Sequence, residues 1–208
     1  MSGQAAPLAA APGGGARVTV PVSLAPDEAA RNLAPRLRSL AGEGTPASSI
    51  DRRADSVGAP DARAPLAVPV VTIDGYSGSG KSTLAAALAR LVNGWQVLHL
   101  DDWYPGWDGL AEGADIARRI AADLREGRAS SYEAWDWDKG TTGATTRVPL
   151  VPTIIEGCGA IEAEADIAIW IADPGEDERR SRALARDGQT YAPHWRRWAD
   201  QDLGRSIH

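Results

Sequence analysis

The stretch Val68–Thr83 reads VPVVTIDGYSGSGKST, and its reading decides the fold. Its first half, Val68–Asp74, is a β-branched apolar run of the kind that forms a strand buried on both faces. Its second half fits G-x-x-x-x-G-K-[ST], with Gly75, Gly80, Lys81 and Ser82 in the defining places. Glycines there let the backbone curl so that successive N–H groups point inward at phosphate oxygens. Ser82–Val92 (STLAAALARLV) then spaces its apolar residues as a helix, whose N-terminal dipole and unpaired amides favour an anion. A strand before the loop and a helix after it are the context that gives the motif its meaning. The expected nucleotide-binding residues are Gly75, Ser77, Gly78, Ser79, Gly80, Lys81, Ser82 and Thr83. Lys81 reaches the β- and γ-phosphates and Ser82 offers its hydroxyl to Mg²⁺, so ATP and Mg²⁺ are the expected cofactors. Lysine occurs only at positions 81 and 139 of a chain otherwise supplied with arginine, which supports a specific need for an ammonium at 81.

Outward from the loop, strands and helices alternate. Gln96–Leu100, Val151–Ile155 and Asp166–Ile171 read as strands. Asp115–Glu126, with an acidic N-cap, and Asp177–Arg186 read as helices. This order implies an α/β fold, a three-layer α/β/α P-loop NTPase with a parallel sheet of four or five strands. A fifth strand could come from Ser206 onward, cut short, or from the N-terminal region.

Residues 1–65 are rich in Ala, Pro, Gly and Ser and read as a low-complexity, disordered extension, with the domain at 66–208. Within the extension, Arg17–Val22 could form one short strand. Asp27–Leu40 has helical spacing, but Pro35 is expected to break or kink it. Whether the C-terminus is complete stays open.

The 208 residues suffice for one domain with a real core. The net charge of −6 argues against nucleic-acid binding, though not against a local cationic pocket. A single cysteine, Cys158, excludes an intrachain disulfide. No apolar run of about 18 residues occurs, so no membrane span is expected. The N-terminus lacks the pattern of a secretory signal, so a cytoplasmic enzyme is the default. Nothing indicates an oligomeric state.

The second strand runs into His99-Leu100-Asp101-Asp102-Trp103-Tyr104. In an open parallel sheet the C-terminal strand edge faces the ligand. A carboxylate there can take a proton from a substrate hydroxyl or orient the water around Mg²⁺, and Asp101 is the chosen base. Arg179, Arg182 and Arg186 share one helix face. They are either a solvated face paired with Glu176, Asp177 and Glu178, or a set turned toward phosphates.

Four segments together carry a family resemblance: GYSGSGKST (Gly75–Thr83), LDDWYPGW (Leu100–Trp107), IIEG (Ile154–Gly157) and RRSRALARD (Arg179–Asp187). In this order they resemble the uridine kinase and phosphoribulokinase family of P-loop kinases, over about residues 68–200. The resemblance implies phosphoryl transfer from MgATP to an alcohol group. It assigns Asp101 as catalytic base near the magnesium, with Asp101 and Tyr104 matching the family's D-x-F-Y segment and Trp103 standing in place of its Phe. It also implies that Glu156 helps hold Mg²⁺ with Ser82 and Asp101, and that Arg182 and Arg186 belong to a lid that acts with Lys81 on the transferred phosphoryl group. YEAWDWD (Tyr132–Asp138) corresponds to the family's segment beside the acceptor, which makes Tyr104, Trp135, Asp136 and Trp137 the candidate acceptor residues. The family's His-containing base-recognition segment has no counterpart, since no His occurs between His99 and His194. The expected partner is therefore a small hydroxylated acceptor, nucleoside- or sugar-like. The rival reading is a P-loop ATPase or nucleotide-binding protein without an acceptor. The absence of N-K-x-D argues against a GTPase.

Overall fold

The computed structural model describes residues 15–42 and 67–205. In chain order the elements are β1 (Ala16–Val20), α1 (Pro26–Leu40), β2 (Val70–Asp74), α2 (Lys81–Ala89), β3 (Gln96–His99), α3 (Leu110–Arg125), β4 (Ser130–Asp136), β5 (Thr141–Val148), β6 (Thr153–Glu156), β7 (Ile167–Ile171), α4 (Glu176–Tyr191) and α5 (Trp195–Leu203). Five strands pair in parallel in the order β1-β7-β2-β6-β3. β4 and β5 form a separate antiparallel hairpin.

The β-branched run beginning at Val70 lies at the centre of the sheet, and every residue of β2 is buried. Val71, Ile73 and Ile154 pack with α1 and α2 in one apolar cluster. Val70, Leu98 and Ile155 pack with α3, α4 and α5 in another. Alternate side chains thus feed two cores, one on each face, and the fold is the three-layer α/β/α of a P-loop NTPase.

The expected boundary at residue 65 does not match the described residues. β1 is the fifth strand, at the edge beside β7, and its residues pair from Ala16↔Ile167 to Val20↔Ile171. Helix α1 buries Ala29, Ala30, Leu33, Ala34 and Leu37. The helix runs through Pro35, whose ring lies on the exposed face, while the buried face of Ala29, Ala30, Leu33, Ala34 and Leu37 packs on both sides of it. The rest of the expected disordered extension, residues 1–14 and 43–65, lies outside the described residues, as does any strand from Ser206 onward.

Three further departures concern the site. α3 starts at Leu110 rather than Asp115, and Gly113 within it allows close contact with the Tyr104 ring. Tyr132–Asp136, not among the expected strands, lies in β4. α5, which was not anticipated, buries Trp195, Trp198, Ala199 and Asp202.

Candidate active site

β2 ends at Asp74, and the loop Gly75–Gly80 delivers the chain into α2 at Lys81. Gly78 (φ +81°) and Gly80 (φ +104°) take left-handed conformations that a side chain resists. A Cβ at Gly78 would also collide with the main chain of Arg179 at the start of α4. The Lys81 ammonium arches back over the loop, donating to Gly75 O at 2.8 Å and Tyr76 O at 3.1 Å. Its third contact is the Cys158 Sγ at 3.2 Å, a weak acceptor that a phosphate oxygen could readily replace. Burial works against this ammonium. The Cys158 sulfur and the Asp202, Glu156 and Asp74 carboxylates outweigh it and hold the pKa above the ordinary lysine value. The Ser79 hydroxyl is buried with no hydrogen-bond partner among the described residues.

Behind the loop lies an ionic clasp that sequence reasoning missed. Asp74 accepts from the N–H groups of Gly75, Gly159 and Ile161. Asp202, on α5, accepts from Ser77 N–H at 2.8 Å. Arg205 bridges the two acids, at 2.7 Å from Asp74 Oδ2 and 2.6 Å from Asp202 Oδ1. The last helix is thereby bolted to the phosphate loop. Arg179 adds to the anchorage. Its side chain is buried, pairs with Asp173 at 2.8 Å, and lies over the Tyr76 and Trp195 rings.

In front of the loop opens a cavity of about 940 Å³. Ser77, Gly78, Gly80, Lys81, Ser82 and Thr83 form its floor, while Asp101 and Glu156 contribute carboxylates from the ends of neighbouring strands. Arg182 and Arg186 face it from α4, each already bonded to a carboxylate, Glu178 and Asp187 respectively. Tyr104, Trp107, Trp137, Tyr191 and Trp198 supply an aromatic wall.

The charges of this cavity act on one another. Glu156 receives a 2.6 Å hydrogen bond from His99 Nδ1. Burial would raise its pKa, but that bond, the Lys81 charge and the Ser82 hydroxyl keep it below the usual range. His99 is raised in return, mainly through its bond to Glu156. Asp101 is open to the cavity yet has protein on most sides. That burial and the Glu156 charge raise its pKa, against the pull of Arg186 and Lys81. Arg186 is held above its ordinary value by its bond to Asp187 and by the charge of Asp101, despite burial.

The expected acceptor residues separate. Trp137 lines the cavity, and its Nε1–H donates to Asp101 O at 2.8 Å. Tyr104 lines it too, but its hydroxyl donates to Cys158 O at 2.7 Å. Trp135 and Asp136 stand outside the lining. Trp135 lies against Gly106, and Asp136 closes the hairpin turn through Lys139. Trp107 joins the wall by stacking on His194, with ring centroids 4.4 Å apart.

Burial and the Asp202 carboxylate push the Cys158 thiol up to about 12. Iodoacetamide at pH 8 is therefore expected to alkylate Cys158 on the order of 10³-fold more slowly in the folded protein than in urea. Reaction at the free-thiol rate would contradict this placement.

A second cavity of about 310 Å³ lies across the loop and shares Gly80 and Arg182 with the first. Its walls are Val20–Pro26, Ser79, Leu84, Ile171, Ala172 and Pro174. The N-terminal segment therefore borders the site.

Among the described residues, no group of three or more His, Cys, Asp and Glu side chains stands ready to hold a metal alone. No helix among them is long and apolar enough to cross a membrane.

No protein-family model and no curated protein matches the chain. Among solved structures it is similar to a candidate fructose transport system kinase from Silicibacter sp. TM1040. The two share 22% identity, with 67% of this chain and 81% of that one covered and a TM-score of 0.46. It is also similar to a possible uridine kinase from Bacillus stearothermophilus, at 16% identity over 83% of this chain and 92% of that one, with a TM-score of 0.36. Both proteins are named as kinases; the fold of this chain rests on its own strand order and loop.

Proposed function

We propose that this chain is an ATP-dependent phosphotransferase that moves the γ-phosphoryl group of MgATP to a hydroxyl of a small acceptor. The supporting observation is that one cavity takes in the loop around Lys81, the strand-end acids Asp101 and Glu156, and an aromatic wall. Its volume is near the top of the range for small-molecule sites, which suits a triphosphate and an acceptor side by side.

The residues fit the nucleotide. The loop amides and Lys81 are donors for the phosphates, and the orphaned Ser79 hydroxyl lies within that loop. The second, mostly apolar cavity between Val20–Pro26 and Leu84 suits the nucleobase, with Arg182 at its rim. The residues also fit magnesium, which takes oxygen donors and keeps several waters. Ser82 and Glu156, with Asp101 opposite, would hold it, and when bound it would neutralise charge on the β- and γ-phosphates.

In the proposed reaction, the acceptor hydroxyl gives its proton to an Asp101 carboxylate oxygen while its own oxygen bonds to the γ-phosphorus. The bond from that phosphorus to the bridging oxygen breaks, and ADP leaves with the electron pair. Arg186 and Lys81 supply positive charge where it develops on the transferred group.

Isothermal titration tests the nucleotide site. Wild type is expected to bind MgATP, and Lys81→Ala to lose at least about 100-fold in affinity or turnover. Intact affinity and turnover in a folded Lys81→Ala variant would show that the loop is not the phosphate site.

A further inference from the structure

One side chain outside the cavity ties together the two strand ends that carry its acids. β3 and β6 run parallel with His99 in register beside Glu156. Each is the last residue of its strand, so the two side chains leave the same face of the sheet at the same edge. The imidazole crosses between them, with Nδ1 2.6 Å from Glu156 Oε1. An ionised carboxylate only accepts, so Nδ1 carries the proton of this bond whatever the state of Nε2.

Glu156 and Ser82 line the cavity, and His99 does not. The histidine side chain is 45% exposed on the edge strand, while the carboxylate it holds is buried. The same carboxylate meets the Ser82 hydroxyl. Its two oxygens offer about four acceptor positions, so the bond to His99 fixes the group without using it up. Directly after His99 the chain enters the 3₁₀ turn Leu100–Asp102, which carries Asp101. A single hydrogen bond therefore sets Glu156 against both the Ser82 end of the loop and the turn that holds the proposed base.

Resting on the phosphotransferase reading, in which Ser82 and Glu156 hold magnesium, we infer that His99 is a positioning residue whose Nδ1–H fixes the Glu156 carboxylate in the orientation that receives the magnesium of MgATP. His99 acts through Glu156 and touches neither nucleotide nor acceptor. A carboxylate that is free to turn must be ordered when the metal arrives, whereas one already held is not. Loss of such an outer partner typically costs roughly 10- to 100-fold in metal affinity.

The test measures ATP affinity by isothermal titration, once with excess Mg²⁺ and once with EDTA, for wild type, His99→Ala, His99→Leu and His99→Asn. The ratio of the two affinities reports what magnesium adds, without reference to turnover. Wild type is expected to bind more tightly with Mg²⁺. His99→Ala should lose at least about 10-fold of that gain while its affinity in EDTA stays within about twofold of wild type. His99→Leu, which keeps bulk on the strand edge without a donor, should do the same. His99→Asn, which keeps an N–H donor near the place of Nδ1, should restore most of the gain. Thermal melts confirm that each variant is folded. An unchanged gain in folded His99→Ala or His99→Leu overturns the positioning role. So does an equal loss of affinity with and without Mg²⁺, which marks a merely structural contact. A wild type that binds ATP equally in both conditions removes magnesium from Ser82 and Glu156; the role of His99 falls with it and the nucleotide site stands. A wild type that binds no ATP overturns the phosphotransferase reading itself.

Discussion

Replacing Asp101 by Asn is expected to lower acceptor-dependent ADP release by about 10²- to 10⁴-fold, the usual weight of a positioned general base. MgATP affinity should change only a few-fold, because Asp101 stands at the end of β3 while the phosphates are held by the loop. The substitution keeps shape and removes the acceptor of the proton. It also removes one of two facing negative charges, so Asp101→Asn should if anything relax the repulsion with Glu156 that raises the Asp101 pKa. A folded Asp101→Asn variant that retains wild-type turnover would remove Asp101 from the base role.

The largest expected stability loss lies at Arg205. Its side chain is 7% exposed and neutralises two carboxylates, Asp74 and Asp202, that are 0% and 1% exposed. Removing one partner from a buried ionic group leaves uncompensated charge, which costs roughly 3–5 kcal/mol. For a chain of this length that is a fall in melting temperature of roughly 6–20 °C. Arg205→Ala is the measurement, by thermal or urea unfolding. Adding Asp202→Asn to Arg205→Ala should recover part of the loss, since it removes one stranded charge. A loss under about 1 kcal/mol for Arg205→Ala would mean that the clasp does not hold α5 to the loop. Nucleotide affinity should fall with stability, because Asp202 also receives the Ser77 amide of the loop.

What could be read from sequence was what is local. The loop at Gly75–Ser82 announces itself because four spaced residues do one job within a single turn. Asp101 and Glu156 were legible because each follows a short apolar strand, and strand ends in a parallel sheet face the site. The parts that escaped are held by distant partners. Asp74 and Arg205 are 131 residues apart, and nothing in either neighbourhood names the other. β1 is edge-paired to a strand about 150 positions later, so Arg17–Val22 could be read as a short strand and the N-terminal region as one source of a fifth strand, but its place beside β7 could not be read. The hairpin was missed because β5 is exposed along nearly its whole length and shows no apolar alternation. Trp135 and Asp136 still belong to β4, whereas Trp137 follows its end and reaches the cavity. The three arginines of α4 shared a face as the spacing required. Their neighbours divided them, with Arg179 buried against the loop and Arg182 and Arg186 at the cavity edge.

The most direct test of the central claim is ADP release from MgATP by the purified chain, measured alone and with a panel of nucleosides and sugars. Slow release alone, clear stimulation by an acceptor, and one phosphorylated product for each ADP formed are the expected results. Release at the same rate with and without every acceptor would contradict it and identify an ATPase instead.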